Sequence, residues 1–157
     1  MIGSIVTQSS LEMVDEVLIQ PAEQEVALDP PKRILVVEDD ADQLAALLYR
    51  LRKLGYDAAT ASSGQQAIES ATSIVPDLVL LDLGLPDASG FDVCEQLGDS
   101  PATSCVPVII LSGMESDDIV RRARNAGSTY YLRKPYDPNV LLALIQNALE
   151  TAQDVNW

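Results

Sequence analysis

The chain has 157 residues, 47% hydrophobic and 22% charged, which is enough apolar matter for one domain with a real core plus a tail. Its 24 acidic and 10 basic residues give a formal net charge of −14, which argues against direct contact with nucleic acid or an anionic membrane surface. Histidine is absent, so His-ligated zinc sites, Ser–His triads and histidine phosphorylation are excluded.

Residues 1–31 form an acidic N-terminal extension, with Glu12, Asp15, Glu16, Glu23, Glu25 and Asp29 and no basic residue. Leu11, Val14, Val17 and Leu18 recur at helical spacing after a capping-box pair, Ser9 and Glu12. Pro21 would stop that helix, and Pro30-Pro31 punctuates before the core. The extension therefore reads as partly helical or disordered, because so short an apolar stripe is marginal in isolation.

From Lys32 the pattern becomes regular. An apolar run over residues 34–37 reads as a first strand and ends in Glu38-Asp39-Asp40. Leu44, Leu47, Leu48, Leu51 and Leu54 then make a helical stripe that stops at Gly55. Residues 56–61 are a weaker strand, and Ser62-Ser63-Gly64 turns into a helix through Ala67, Ile68 and Ala71. Residues 78–82, Leu-Val-Leu-Leu-Asp, are apolar on both faces and so read as a central buried strand that leaves the core at Asp82. Gly84 and Pro86 break the run. A short helix is predicted over 90–97, a loop over 98–101 and a strand over 106–111 that ends in Ser112-Gly113. Ser116 is placed as the cap of a polar helix reaching Ala126. Residues 129–133 make the last strand, ending in Lys134-Pro135. A final helix over about 138–151 carries Leu141, Leu144, Ile145, Ala148 and Leu149 on one face.

Five strands alternating with five helices imply an α/β fold, a (βα)5 parallel sheet with helices on both faces. The expected organisation is a domain over 32–152 between the extension 1–31 and a C-terminal tail 153–157. No apolar run approaches the roughly 18 residues of a membrane span, and no secretory signal is visible. Cys94 and Cys105 lack metal-ligand spacing and read as small buried thiols of a reducing, cytoplasmic protein.

In a parallel sheet all the strand ends share one edge, where open α/β sheets bind their ligands. Glu38, Asp39, Asp40, Asp82, Ser112 and Lys134 therefore converge. Clustered carboxylates need a cation between them, and hard oxygen donors suit Mg²⁺. A lysine beside them can hold a phosphoryl oxygen as a point charge. The set suits a phosphoryl group on Asp82 as an acyl phosphate, which needs no general base.

Val36-Val-Glu-Asp39, Leu80-Leu-Asp82-Leu-Gly-Leu-Pro86 with Gly90, Ile110-Leu-Ser112-Gly113 and Tyr131-Leu-Arg-Lys134-Pro135 together resemble the receiver domain of two-component response regulators. The resemblance covers about residues 32–152. It implies a doubly wound, flavodoxin-like sheet of order 2-1-3-4-5, an order shared with a chemotaxis receiver. Asp82 matches the phosphoacceptor. Asp39 matches a direct Mg²⁺ ligand, Glu38 a ligand through water, and Gly84 the residue whose backbone carbonyl completes the metal site. Ser112 and Tyr131 match the switch pair, and Lys134 the family lysine, with a cis bond to Pro135. Gly84 and Met114 stand at positions that tune dephosphorylation in the family.

The resemblance implies a phosphorylation-activated switch that catalyses only its own phosphorylation and dephosphorylation. The donor would be a sensor histidine kinase or a histidine phosphotransfer protein. The output would be a protein target, or a second copy in a homodimer, docking on the face of the fourth helix, fifth strand and fifth helix. Arg121, Arg122, Arg124, Tyr130 and Arg133 are placed on that face, with the acidic extension as a rival occupant. The resemblance is closest to a stand-alone receiver; a piece of a longer regulator is the alternative. Two other functions compete. A phosphorylation-independent, receiver-like interaction module would lack a hallmark residue, and none is lacking. A phosphatase of the haloacid dehalogenase type would need a second Asp where Gly84 stands.

Overall fold

Three pentapeptides explain why the sheet forms where it does. Arg33–Val37 (β1), Leu78–Asp82 (β3) and Val108–Ser112 (β4) are Val-, Ile- and Leu-rich and are buried almost throughout. Such runs are stable only as inner strands covered on both faces. The computed structural model describes residues 29–155. It pairs these three strands at the centre, with Asp57–Ala61 (β2) and Tyr130–Arg133 (β5) at the edges. All pairs are parallel and the order is β2-β1-β3-β4-β5, as expected from the resemblance. The helices are Ala41–Lys53 (α1), Gly64–Ile74 (α2), Gly90–Asp99 (α3), Ile119–Asn125 (α4) and Pro138–Val155 (α5).

The two-residue period of the strands divides the core into two layers. Leu35, Val37, Val79, Leu81, Val108 and Ile110 face α2, α3 and α4. Ile34, Val36, Leu78, Leu80, Ile109 and Leu111 face α1 and α5. Each layer draws its helical partners from the predicted stripes: Ala67 and Ala71 of α2 on one side, and Leu47, Leu51, Leu141 and Ile145 on the other.

Several details depart from expectation. Leu54 is not on the buried stripe of α1; it is the C-cap and is 54% exposed, while Gly55 takes the left-handed turn at φ +91°. α3 continues through Gly98 to Asp99, because the Ser100 N–H still reaches the Gln96 carbonyl before Pro101 intervenes. Ser116 does not cap α4. Its hydroxyl donates to the Asp118 carboxylate instead, and the helix begins only at Ile119, with no side chain on its first N–H groups. α5 runs on to Val155, since nothing after Thr151 is a stop signal. The predicted helix over the apolar residues 11–18 lies outside the described residues.

The cysteines also differ from expectation: Cys94 is buried, but Cys105 is exposed. Burial raises the Cys94 thiol to about 11, with Glu95 adding to the shift. Native protein treated with iodoacetamide near pH 8 is therefore expected to gain one adduct, at Cys105, and a second only on unfolding. Peptide mapping after intact mass checks this.

Candidate functional site

The carboxyl ends of β1, β3, β4 and β5 meet at one edge of the sheet, and Glu38 is the most deeply buried charged group there. Its N–H continues the sheet by donating to the Ala61 carbonyl (3.0 Å), which fixes the residue, and the residue as a whole is only 2% exposed. Asp39 follows, exposed. Asp40 turns away to cap α1, its Oδ1 accepting from the N–H groups of Asp42 and Gln43 at 3.0 Å each. Asp40 is therefore a helix cap rather than part of the acidic pair.

Glu38, Asp39 and Asp82 each bring a carboxylate oxygen within 4.8 Å of the others. Lys134 closes the group. Its Nζ donates to Glu38 Oε1 (2.9 Å) and to Gln43 Oε1 (2.7 Å), and lies 3.7 Å from Asp82 Oδ2. The Lys134–Pro135 peptide is cis, as expected. Burial pushes the Glu38 carboxyl up, and the Asp82 charge adds to the shift; the bonds from Lys134 and from the Asp40 N–H offset this only in part. Burial alone would lower the Lys134 ammonium. The hydrogen bond to Glu38 and the charges of Asp82 and Glu38 outweigh that, so it stands above its ordinary value and stays charged. The cluster thus holds more negative charge than one ammonium offsets. All-oxygen donors without Cys or His fit a hard divalent ion such as Mg²⁺ and not zinc.

Gly84 donates its N–H to Asp82 Oδ1 (3.4 Å) and pairs with Ser89 across the loop. Gly90 has no room for a side chain: a Cβ there would lie 2.6 Å from the Asp82 carbonyl oxygen and 2.6 Å from Leu83 Cα. That close approach brings the start of α3 against the end of β3.

Neither Ser112 nor Tyr131 hydrogen-bonds to Glu38, Asp39 or Asp82; both are engaged with Met114. Ser112 is buried, and its Oγ accepts from the Met114 N–H (3.0 Å). The Tyr131 hydroxyl donates to the Met114 carbonyl (3.5 Å). The two meet through one backbone residue, beside a cavity of about 270 Å³ lined by Met114, Ile119, Val120, Tyr131 and Arg133 among others.

The basic face is less open than the sequence suggests. Arg133 pairs with Glu115, and Arg121 with Asp118 at 3.5 Å. Arg122 turns to α3, its guanidinium 4.3 Å from the centre of the Phe91 ring. Three residues at or near the site escaped the sequence reading. Gln43 shares Lys134, Tyr136 has its hydroxyl pKa raised by burial, and Asp87 reaches across to α2. None carries a local signal, because each acts through a contact between elements distant in sequence.

A family model described as "Response regulator receiver domain" matches residues 34–146. This chain belongs to that family. The receiver is 38% identical over 123 residues to the DNA-binding response regulator MtrA of Mycolicibacterium paratuberculosis, covering 78% of this chain and 53% of the relative. It is 32% identical over 126 residues to the transcriptional regulatory protein PdtaR of Mycobacterium tuberculosis, covering 80% and 60%. The chain thus spans little more than half the length of these curated relatives. Among solved structures, a CheY-like receiver domain protein from Methanospirillum hungatei superposes with a TM-score of 0.76 at 27% identity, covering 80% of this chain and 99% of that one. The BeF3-activated N-terminal receiver domain of Klebsiella pneumoniae RstA gives 0.68 at 31%, covering 74% and 97%. Among the described residues, no helix is long and apolar enough to cross a membrane.

Proposed function

We propose that this receiver is a phosphorylation-driven switch with Asp82 as its phosphoacceptor. The observation that carries the reading is the cluster itself: three carboxylates within 4.8 Å and one lysine, drawn from three strands, at a sheet edge of receiver topology. The description of the RstA receiver as BeF3-activated supports it by analogy.

In this reading an Asp82 carboxylate oxygen attacks the phosphorus of a phosphohistidine. The P–N bond breaks, the new P–O bond makes an acyl phosphate, and the carboxylate has no proton to lose. Asp39, Asp82 and the Gly84 carbonyl, with Glu38 through water, would hold Mg²⁺, which neutralises charge on the transferring group. Lys134 stays protonated and supplies a second positive charge. Ser112 and Tyr131 then leave Met114 for new partners, which alters the surface of α4, β5 and α5. The donor is a sensor histidine kinase or a histidine phosphotransfer protein in the cytoplasm, and the output a protein contact, a homodimer included. The domain carrying this switch spans about residues 32–152.

Incubation with Mg²⁺ and a small phosphodonor, followed by intact mass, tests the reading. One adduct of about 80 Da, absent when EDTA replaces Mg²⁺, is expected. No adduct with any donor would instead favour an interaction module that works without phosphorylation.

A further inference from the structure

The loop between β3 and α3 carries Gly84, and it is fastened at two places. At its base the Gly90 N–H donates to the Leu83 carbonyl (3.1 Å), and the missing Gly90 Cβ lets α3 close on β3. At its tip stands Asp87, exposed yet committed on both oxygens. Oδ1 accepts from the Gly64 N–H (2.7 Å) and Oδ2 from the Gln65 N–H (3.0 Å). These are the first two amides of α2, which no residue of its own turn satisfies; Ser63 reaches only the Gln66 N–H (3.1 Å). Gly64 makes the approach feasible, since a Cβ there would lie 3.0 Å from Ala88 Cβ and 3.0 Å from Val93 Cγ2. The loop tip is therefore packed and hydrogen-bonded onto a helix 22 and 23 residues earlier in the chain.

We propose that Asp87 is a positioning residue of the phosphorylation site: by holding the N-terminus of α2 it fixes the loop that presents Gly84 beside Asp82. The ordinary alternative is that Asp87 simply completes the cap of α2. The two differ in where the consequence appears. A cap frays the first turn of α2 when lost, while a positioning residue loosens residues 83–89 and degrades whatever those residues hold. The inference rests on the proposed role of the Gly84 carbonyl in holding Mg²⁺, but the loosening of the loop is measurable without metal.

The test compares Asp87→Ala, Asp87→Asn and Ser63→Ala in the full chain. Ser63→Ala removes a cap bond of α2 that does not touch the loop. Amide hydrogen exchange is measured in metal-free protein, and Mg²⁺ affinity by calorimetry. Asp87→Ala is expected to speed exchange across residues 83–89 by about tenfold and to weaken Mg²⁺ binding by about tenfold. Asp87→Asn, which keeps one acceptor oxygen, should recover part of each loss. Ser63→Ala should change exchange only in the first turn of α2 and leave Mg²⁺ affinity within about twofold. The inference is overturned if Asp87→Ala matches Ser63→Ala in both readouts, or if the loop loosens while Mg²⁺ affinity holds. If wild-type protein binds no Mg²⁺ at all, the proposed function is what fails, and the metal-free exchange still decides whether Asp87 holds the loop.

Discussion

Asp82→Asn protein given Mg²⁺ and a small phosphodonor should gain no phosphoryl mass, a fall of at least about a thousandfold in rate for removal of a nucleophile. An amide oxygen carries no full charge, and the amide nitrogen's lone pair is delocalised into the carbonyl, so neither atom replaces the carboxylate as nucleophile. Misfolding should not explain the loss. Asp82 is only partly buried, Asn keeps its shape, and removing one of three crowded carboxylates relieves the repulsion that helps raise the Glu38 carboxyl. Lys134 keeps its two shorter bonds, to Glu38 and Gln43. The melting temperature should therefore stay at or slightly above that of the wild type, and the expected benefit of Mg²⁺ on it should shrink. An adduct that survived in Asp82→Asn and mapped to Asp39 would assign the acceptor to the wrong carboxylate. Intact mass and peptide mapping on the same sample separate these outcomes.

How far the sequence leads depends on the range over which each residue acts. Val36-Val37, Leu78 to Leu81 and Val108 to Leu111 declare buried strands by composition alone, and they are buried strands. Helical alternation then forces the strand ends to one edge, so Glu38, Asp39, Asp82 and Lys134 can be brought together before any coordinates exist. The strand order is different: it came from likeness to known receivers, because alternation alone permits several orders. Local turn chemistry misled at Ser116, where a cap and a side-chain pair with Asp118 are equally compatible with the same few residues. Arg122 looked like part of an open basic face because nothing in its own helix announces Phe91. Asp87 and Gln43 were invisible for the same reason. Their partners lie in other elements, and the geometry that unites them exists only after folding.

Two glycines of one helix should respond to alanine substitution with opposite signs. Gly90 and Gly98 both sit in α3 and neither requires a positive φ. By helix propensity alone, Ala at each should stabilise by about 0.5–1 kcal/mol. Gly98 has nothing within 4 Å of where a Cβ would stand, so Gly98→Ala is expected to realise that gain. At Gly90 the Cβ would fall 2.6 Å from the Asp82 carbonyl oxygen and from Leu83 Cα. Those are backbone atoms, so no side-chain rotation relieves the clash; α3 or the end of β3 has to move. Gly90→Ala should then cost about 3 kcal/mol, the upper range for overpacking, and lower the melting temperature by roughly 10 °C. The same displacement acts on Asp82, the proposed phosphoacceptor, so the surviving folded protein should form the Asp82 adduct several-fold more slowly. Gly98→Ala should leave that rate unchanged. Thermal denaturation and adduct kinetics on the two variants check both halves. Equal melting temperatures would mean that the contact of α3 with β3 is loose enough to absorb a methyl group, and that Gly90 does not shape the site.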